Sequence, residues 1–315
     1  MIYDHLCGWK RDDDAVGAFT ERLQAIYGAA SFSDSKPELR GYWQRLSSTG
    51  VCHVLAQTAE AAVCLKSLPA DYQERGTCVS RGTYRACQDS YYHQLANGLL
   101  LGRPARLAFE PIYGGSRVDI GGGQLGRGDG SVGAWAAEFV SKYGLLERAQ
   151  FGSWDLSSPN EDLAINWGQP GRGVPDQLLE VATLHQVICH RVTDCAELAD
   201  CIAAGYFAAY CSDLIWGQRD RNGMARPQSH AGHCEEVCGV FLTPSGATAF
   251  VRQQSWGPQP YGPRELATQA GPITLREGSY GAYGSDLQRG LDEGGECWCF
   301  RVKTPWTASV HDLLA

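Results

Sequence analysis

Apolar residues recur at helical spacing over positions 14–27, and Gly28 follows as a stop. A polar Ser/Asp/Pro stretch at 31–37 separates this helix from a second apolar stretch at 51–65, which Ser67-Leu68-Pro69 ends. A new element opens near Cys78. Tyr84, Cys87, Tyr91 and Leu95 fall three and four apart, as on one helix face, and Asn97-Gly98 gives that helix its end. Positions 114–133 are crowded with glycine and read as loop. Positions 132–143 are helical again and close at Gly144. Positions 153–176 read as a long polar connection. Helical spacing returns at 194–204, capped by Thr193 or Asp194. Beyond Tyr206 the pattern turns strand-like. Runs at 237–242 and 249–252 flank the turn Thr243-Pro244-Ser245-Gly246 as a hairpin, and 297–302 alternates as a last strand. Helices early and strands late predict an α+β chain.

Composition narrows the function. The chain has 315 residues, 43% hydrophobic and 20% charged, ordinary values for a folded globular protein. Its net charge of −8 argues against nucleic acid as a partner. No apolar run is long enough to span a membrane, and the start, Met1-Ile2-Tyr3-Asp4-His5-Leu6-Cys7, has no apolar signal core, so a cytoplasmic location is expected. Thirteen cysteines is a high and odd number, compatible either with buried thiols or with a disulfide-bearing, virion-type protein. Cys234, Cys238, Cys297 and Cys299 do not have a zinc-finger spacing, and no metal or cofactor is expected. Asp12-Asp13-Asp14 reads as a solvated helix start, and Gly121-Gly122-Gly123 lacks the strand and helix that a nucleotide loop needs.

Cys78 is the residue with chemical promise. It follows the polar loop Gln73-Glu74-Arg75-Gly76-Thr77 and opens a helix, whose free N–H groups and partial positive charge favour thiolate and can hold an oxyanion. A thiolate nucleophile also needs an imidazole. His233 is the candidate, on a strand. His230 is the rival, in what reads as a polar loop.

The segment Gln73…Gly76-Thr77-Cys78 with its helix resembles the active-site segment of the papain and cathepsin family of cysteine peptidases. Gly128-Asp129-Gly130-Ser131-Val132-Gly133 and the helix ending at Tyr143-Gly144 are similar to that family's Gly-rich turn and following helix. The helix at 194–204 resembles the one before its first barrel strand. Gly232-His233-Cys234 resembles the opening of its histidine strand, and Gln254-Ser255-Trp256-Gly257 stands where the family has Asn-Ser-Trp-Gly. The intervals from Cys78 to His233 and to Gln254 slightly exceed the roughly 130–150 residues usual there. The resemblance covers about 70–300. The first 60 or so residues have no counterpart and do not resemble the family's inhibitory pro-segment.

The resemblance implies a papain-like α+β fold. A helical N-terminal extension at 1–65 would precede a papain-like domain at 66–315, with a mainly helical half at 66–185, a mainly antiparallel, barrel-like β half at 186–315, and a peptide cleft between the halves. It implies Cys78 as nucleophile, His233 as base and then acid, Gln254 as orienter of the imidazole and Trp256 as its cover. Gln73 with the Cys78 N–H would form the oxyanion hole, and Gly128, Asp129 and Gly130 would bind substrate. Three departures stand against full equivalence: Gln254 replaces Asn, Gln73 is one residue closer to the nucleophile, and Val79 replaces the Trp after it. The implied partner is a peptide or protein substrate. Two other readings use the same scaffold: an inactive component of a larger assembly such as a virion, and an amidase acting on cell-wall peptides.

Overall fold

The computed structural model describes residues 6–66, 68–258 and 264–307. Met1 to His5 of the chain start and Ser67 of the expected stop at 67–69 lie outside the described residues. Helix α1 (Asp13–Tyr27) begins where Asp12 accepts the Ala15 N–H, with Asp13 and Asp14 in the first turn, and ends at Gly28 in the left-handed region. The polar stretch after it is not a plain loop, because Ser31 caps a short helix α2 (Phe32–Ser35) that buries Phe32. Helix α3 (Tyr42–Ser48) follows. The apolar stretch at 51–65 divides into strand β1 (His53–Leu55) and helix α4 (Ala56–Cys64).

Helix α5 (Cys78–Ala96) is the axis of the molecule and is buried along nearly its whole length. Of the region expected to be loop, 114–120 folds instead into the end of α6 (Glu110–Gly115) and a π-helical turn, Ser116–Ile120, while 121–132 runs as turns and loop. Its glycines serve close packing there: a Cβ at Gly115 would enter the Phe139 ring. Helix α7 (Gly133–Tyr143) ends at Gly144 as its pattern predicts. The polar connection also carries structure: a small hairpin, β2 (Gln150–Phe151) and β3 (Trp154–Asp155), then α8 (Glu161–Trp167), which Asn160 caps, and α9 (Asp176–Ala182) at its far end. Spacing could not find these elements because they are one or two turns long.

The second half builds one large open sheet. Its strands are β4 (Val187–Val192), β5 (Phe207–Trp216), β6 (Met224–Ala225), β7 (Pro227–Leu242), β8 (Thr248–Gln253), β11 (Ser279–Tyr283) and β12 (Glu296–Val302), in the order β4-β12-β5-β7-β8-β11-β6. Strand β1 adds to β7 from the N-terminal side. All these pairings are antiparallel except β11 with β6. Among the described residues the sheet stays open and does not close into the expected barrel-like half. A separate ribbon pairs β9 (Glu265–Thr268) with β10 (Gly271–Thr274). Helix α10 (Cys195–Ala203), capped by Asp194, precedes β5, and α11 (Gly284–Asp292) precedes β12.

Helix α5 packs on β7, β5 and β12 of this sheet. Gly82 makes the approach close: a Cβ there would meet Cys234 Sγ at 3.2 Å. Where they meet, a charged core replaces an apolar one. Arg276 reaches Asp89 on α5 at 2.7 Å, Glu236 on β7 at 2.8 Å and Glu60 on α4 at 3.2 Å, and Arg85 reaches Glu60 at 3.2 Å. Burial raises Glu236 well above the usual carboxylate range, and neighbouring Asp89 adds to the rise. Burial would raise Asp89 too, but Arg276 and Arg85 outweigh it and hold that carboxyl low. All thirteen cysteines are free thiols. Among the described residues no group of His, Cys, Asp and Glu is placed to hold a metal, and no helix is long and apolar enough to cross a membrane.

Candidate active site

Cys78 occupies the first position of α5, after Thr77. Glu161 of α8 braces this helix start, accepting from Thr77 Oγ1 and from Arg81 Nη2, both at 2.8 Å. The thiol is fully buried. Burial pushes its pKa far up and neighbouring Cys234 adds to the rise, while backbone N–H groups of Cys234 and Gly8 pull the other way.

His233 lies within β7, well after the strand begins at Pro227, opposite Ser212 of β5. Its imidazole stacks on Trp256, with ring centroids 4.4 Å apart. Burial, with Arg252 nearby, pushes the imidazole down to about 3. Neither ring nitrogen has a hydrogen-bond partner, so none joins His233 to Cys78. His230 also lies on β7, opposite Leu214, and not in a loop.

Gln254 is buried, yet its amide turns back on its own loop. Nε2 donates to Gly257 O at 2.9 Å, and Oε1 accepts the Trp256 N–H. That use of both ends fixes the turn carrying Trp256, and neither end bonds the imidazole. Gln73 is likewise engaged. Its Nε2 donates to Leu6 O at 2.6 Å and Arg75 O at 2.8 Å, and its Oε1 accepts from Ser255 Oγ. The backbone of 71–73 also pairs with 255–257: Gln73 N donates to Ser255 O at 2.9 Å and Gly257 N to Asp71 O at 2.6 Å.

The Gly-rich turn faces the same place. Asp129 accepts from Gly76 N at 2.9 Å and from Tyr113 OH at 2.8 Å, tying the turn to the Cys78 loop. Arg117 holds the turn from beneath, donating to the carbonyls of Gly126 at 2.9 Å, Gly128 at 2.6 Å and Gly130. Gly130 has φ +96° and faces Gly8 so closely that a Cβ would strike the Gly8 carbonyl.

Sequence reasoning missed what fills the cleft. Residues 6–10 run between its walls, with 7–10 outside any helix. Ser131 N donates to Gly8 O at 2.8 Å, Lys10 N to Ser131 O at 2.9 Å and Trp9 N to Gly232 O at 3.0 Å. Leu6 packs with Ile215 and Trp256, beside the imidazole. Trp9 is buried and donates its indole N–H to Glu296 at 2.6 Å. The extension expected to have no counterpart thus reaches the candidate nucleophile. Its only signal was two large apolar residues flanking Cys7-Gly8 ahead of a charged run. Glu235 and Arg117 were also missed, because charged residues at interior positions leave no periodic trace.

No protein-family model matches the sequence, and no curated protein matches it. Solved structures do match. Xylellain, a cysteine protease from Xylella fastidiosa, superposes with a TM-score of 0.53 at 13% identity, covering 98% of this chain and 93% of that one. The proform of the Amb a 11 cysteine protease, a major ragweed pollen allergen, gives 0.50 at 13% identity, covering 96% and 77%. At such identity the likeness is one of fold, and the fold of this chain is that of the papain-like cysteine proteases.

Proposed function

We propose that this chain is a cysteine peptidase held latent by its own N-terminal residues. One observation carries the reading: a peptide stretch, residues 6–10, is hydrogen-bonded by its main chain to both walls of the cleft, over Cys78. A cleft that holds peptide backbone through Ser131 and Gly232 holds it without regard to side chains, as a peptide-bond hydrolase requires. Leu6 O rests on Gln73 Nε2, where a substrate carbonyl would sit.

With the strap in place, water is excluded and both partners are neutral: burial holds the thiol up and the imidazole down. Removing the strap rehydrates them and permits the thiolate–imidazolium pair. Cys78 sulfur then attacks the scissile carbonyl, and the C–N bond breaks as His233 gives its proton to the leaving amine. Water, deprotonated by His233, next cleaves the thioester and frees the acid. Freed of Leu6, Gln73 Nε2 would donate to the oxyanion beside the Cys78 N–H.

The test is incubation of the full chain carrying Trp9→Ala, which loosens the strap, beside the wild type, with a thiol-directed peptidyl epoxide and mass mapping of the adduct, together with turnover of unfolded casein and of cell-wall stem peptides. An adduct on Cys78 with casein cleavage is the expected result. Cleavage of stem peptides alone would assign an amidase. Absence of both, with stoichiometric retention in a large assembly, would overturn the enzymatic reading.

A further inference from the structure

We propose that Glu235, and not Gln254, is the positioning residue for the His233 imidazole. The inference rests on the peptidase reading above and concerns the same site. Three observations carry it. First, Gln254 turns its amide to Trp256 N and Gly257 O, and neither end bonds the ring. Second, both nitrogens of His233 are buried and unpartnered, which leaves the ring open to a further contact. Third, Glu235 lies two residues along β7 and therefore on the same face of the strand, with Oε1 3.7 Å from His233 Nε2.

Glu235 is built to hold that position. Its other oxygen, Oε2, accepts from Arg252 Nη2 at 2.9 Å and from the Tyr280 hydroxyl. Arg252 is itself clamped, with its guanidinium 4.7 Å from the Tyr210 ring and 4.6 Å from the Trp216 ring. One carboxylate oxygen is thus anchored while the other points at the imidazole. A gap of 3.7 Å is too long for a hydrogen bond, and a small side-chain rotation closes it. Catalytic contacts commonly tighten in this way once the reacting partner arrives. A carboxylate accepting from Nε2–H fixes the tautomer with Nδ1 free as base and stabilises the imidazolium that forms later.

The test reads the imidazole directly in the full chain and needs no turnover, so it can fail or succeed apart from the peptidase reading. Histidine-labelled protein is followed by nitrogen-15 NMR, with His233 assigned by its loss in His233→Gln. In wild type the Nε2–H tautomer should dominate at neutral pH. Glu235→Gln should cut its ratio to the Nδ1–H tautomer about tenfold, and Gln254→Ala should leave the ratio within about twofold. If Glu235→Gln does not fold, Glu235→Gln with Arg252→Met removes the pair together and leaves no buried charge behind. The second readout is the pH profile of epoxide addition to Cys78. Loss of positioning lowers the pH of the imidazole limb by about one unit, whereas a mere packing defect slows addition equally at every pH. An unchanged tautomer ratio in the folded Glu235 variants, or a ratio that moves with Gln254→Ala instead, overturns the proposal.

Discussion

The two faces of β7 bury charge in opposite ways. On the face toward α5, Glu236 joins Asp89, Glu60, Arg85 and Arg276 in a network with cations and carboxylates in contact on every side. On the other face, Glu235 has one arginine and one tyrosine, and beside it His233 has no hydrogen bond at all. Alternation along a strand sends neighbouring residues to such different surroundings. The first face joins α4, α5, β7 and the Arg276 loop into one body. The second keeps hydrogen-bonding capacity in reserve, shielded by Trp256 and Leu6. The first face is held by ion pairs between opposite charges, whereas the second leaves the imidazole with no hydrogen bond.

The largest expected effect separates these roles. In the strap-loosened Trp9→Ala chain, Cys78→Ala should reduce turnover by about 10⁴-fold or more while the protein stays folded. Turnover surviving in that variant would remove Cys78 as nucleophile. Next comes the network. Arg276→Met strands three carboxylates with Arg85 alone and should cost about 3–5 kcal/mol in chemical denaturation. Arg252→Met on the other face should cost about half as much, because Glu235 is already raised by burial and can take up a proton. Equal costs would show that the two faces do not differ as described.

The strap offers a third break. Trp9→Ala removes a buried ring and its bond to Glu296, and should speed alkylation of Cys78 in the full chain roughly 100-fold. Unchanged protection would mean that Trp9 does not hold the strap down.

A fourth measurement isolates His233 by its titration. Its folded pKa of about 3 lies below the usual value near 6.5, so between those limits the unfolded chain binds the extra proton. Stability must then rise with pH across that window and fall on acidification. Relative to His233→Phe, wild type should lose up to about 1.4 kcal/mol per pH unit below 6.5. Parallel stability curves for the two proteins would show that the imidazole is not held neutral.

Much of this was legible in the sequence, for reasons that differ by region. Helix α1 with its Gly28 stop, α5 opening at Cys78 and α7 closing at Gly144 follow from spacing and caps. The β7–β8 hairpin follows from its turn residues. The packed glycines of α6 and the brief α8 were not legible, since composition that usually means loop here serves close contact. The order of Cys78, His233 and Trp256 was readable, but the partner of each polar atom was not. Whether Gln254 reaches forward to the ring or back to Gly257 is a rotamer choice that no spacing encodes.

That choice yields the smallest and most discriminating prediction. If Gln254 were an overlong substitute for the family's Asn, Gln254→Asn would restore the imidazole contact and raise turnover. Its amide instead bonds Trp256 N and Gly257 O; Asn can keep the first bond as an Asx turn, so the bond to Gly257 O is the one that the longer side chain serves. Asn at this position should lose that bond, lower stability by about 1 kcal/mol and loosen the turn that carries Trp256. Turnover should then fall, by less than about tenfold, because the ring loses some of its cover but keeps Glu235. A rise in turnover would return the orienting role to position 254 and would set the two faces of β7 closer together than their contacts imply.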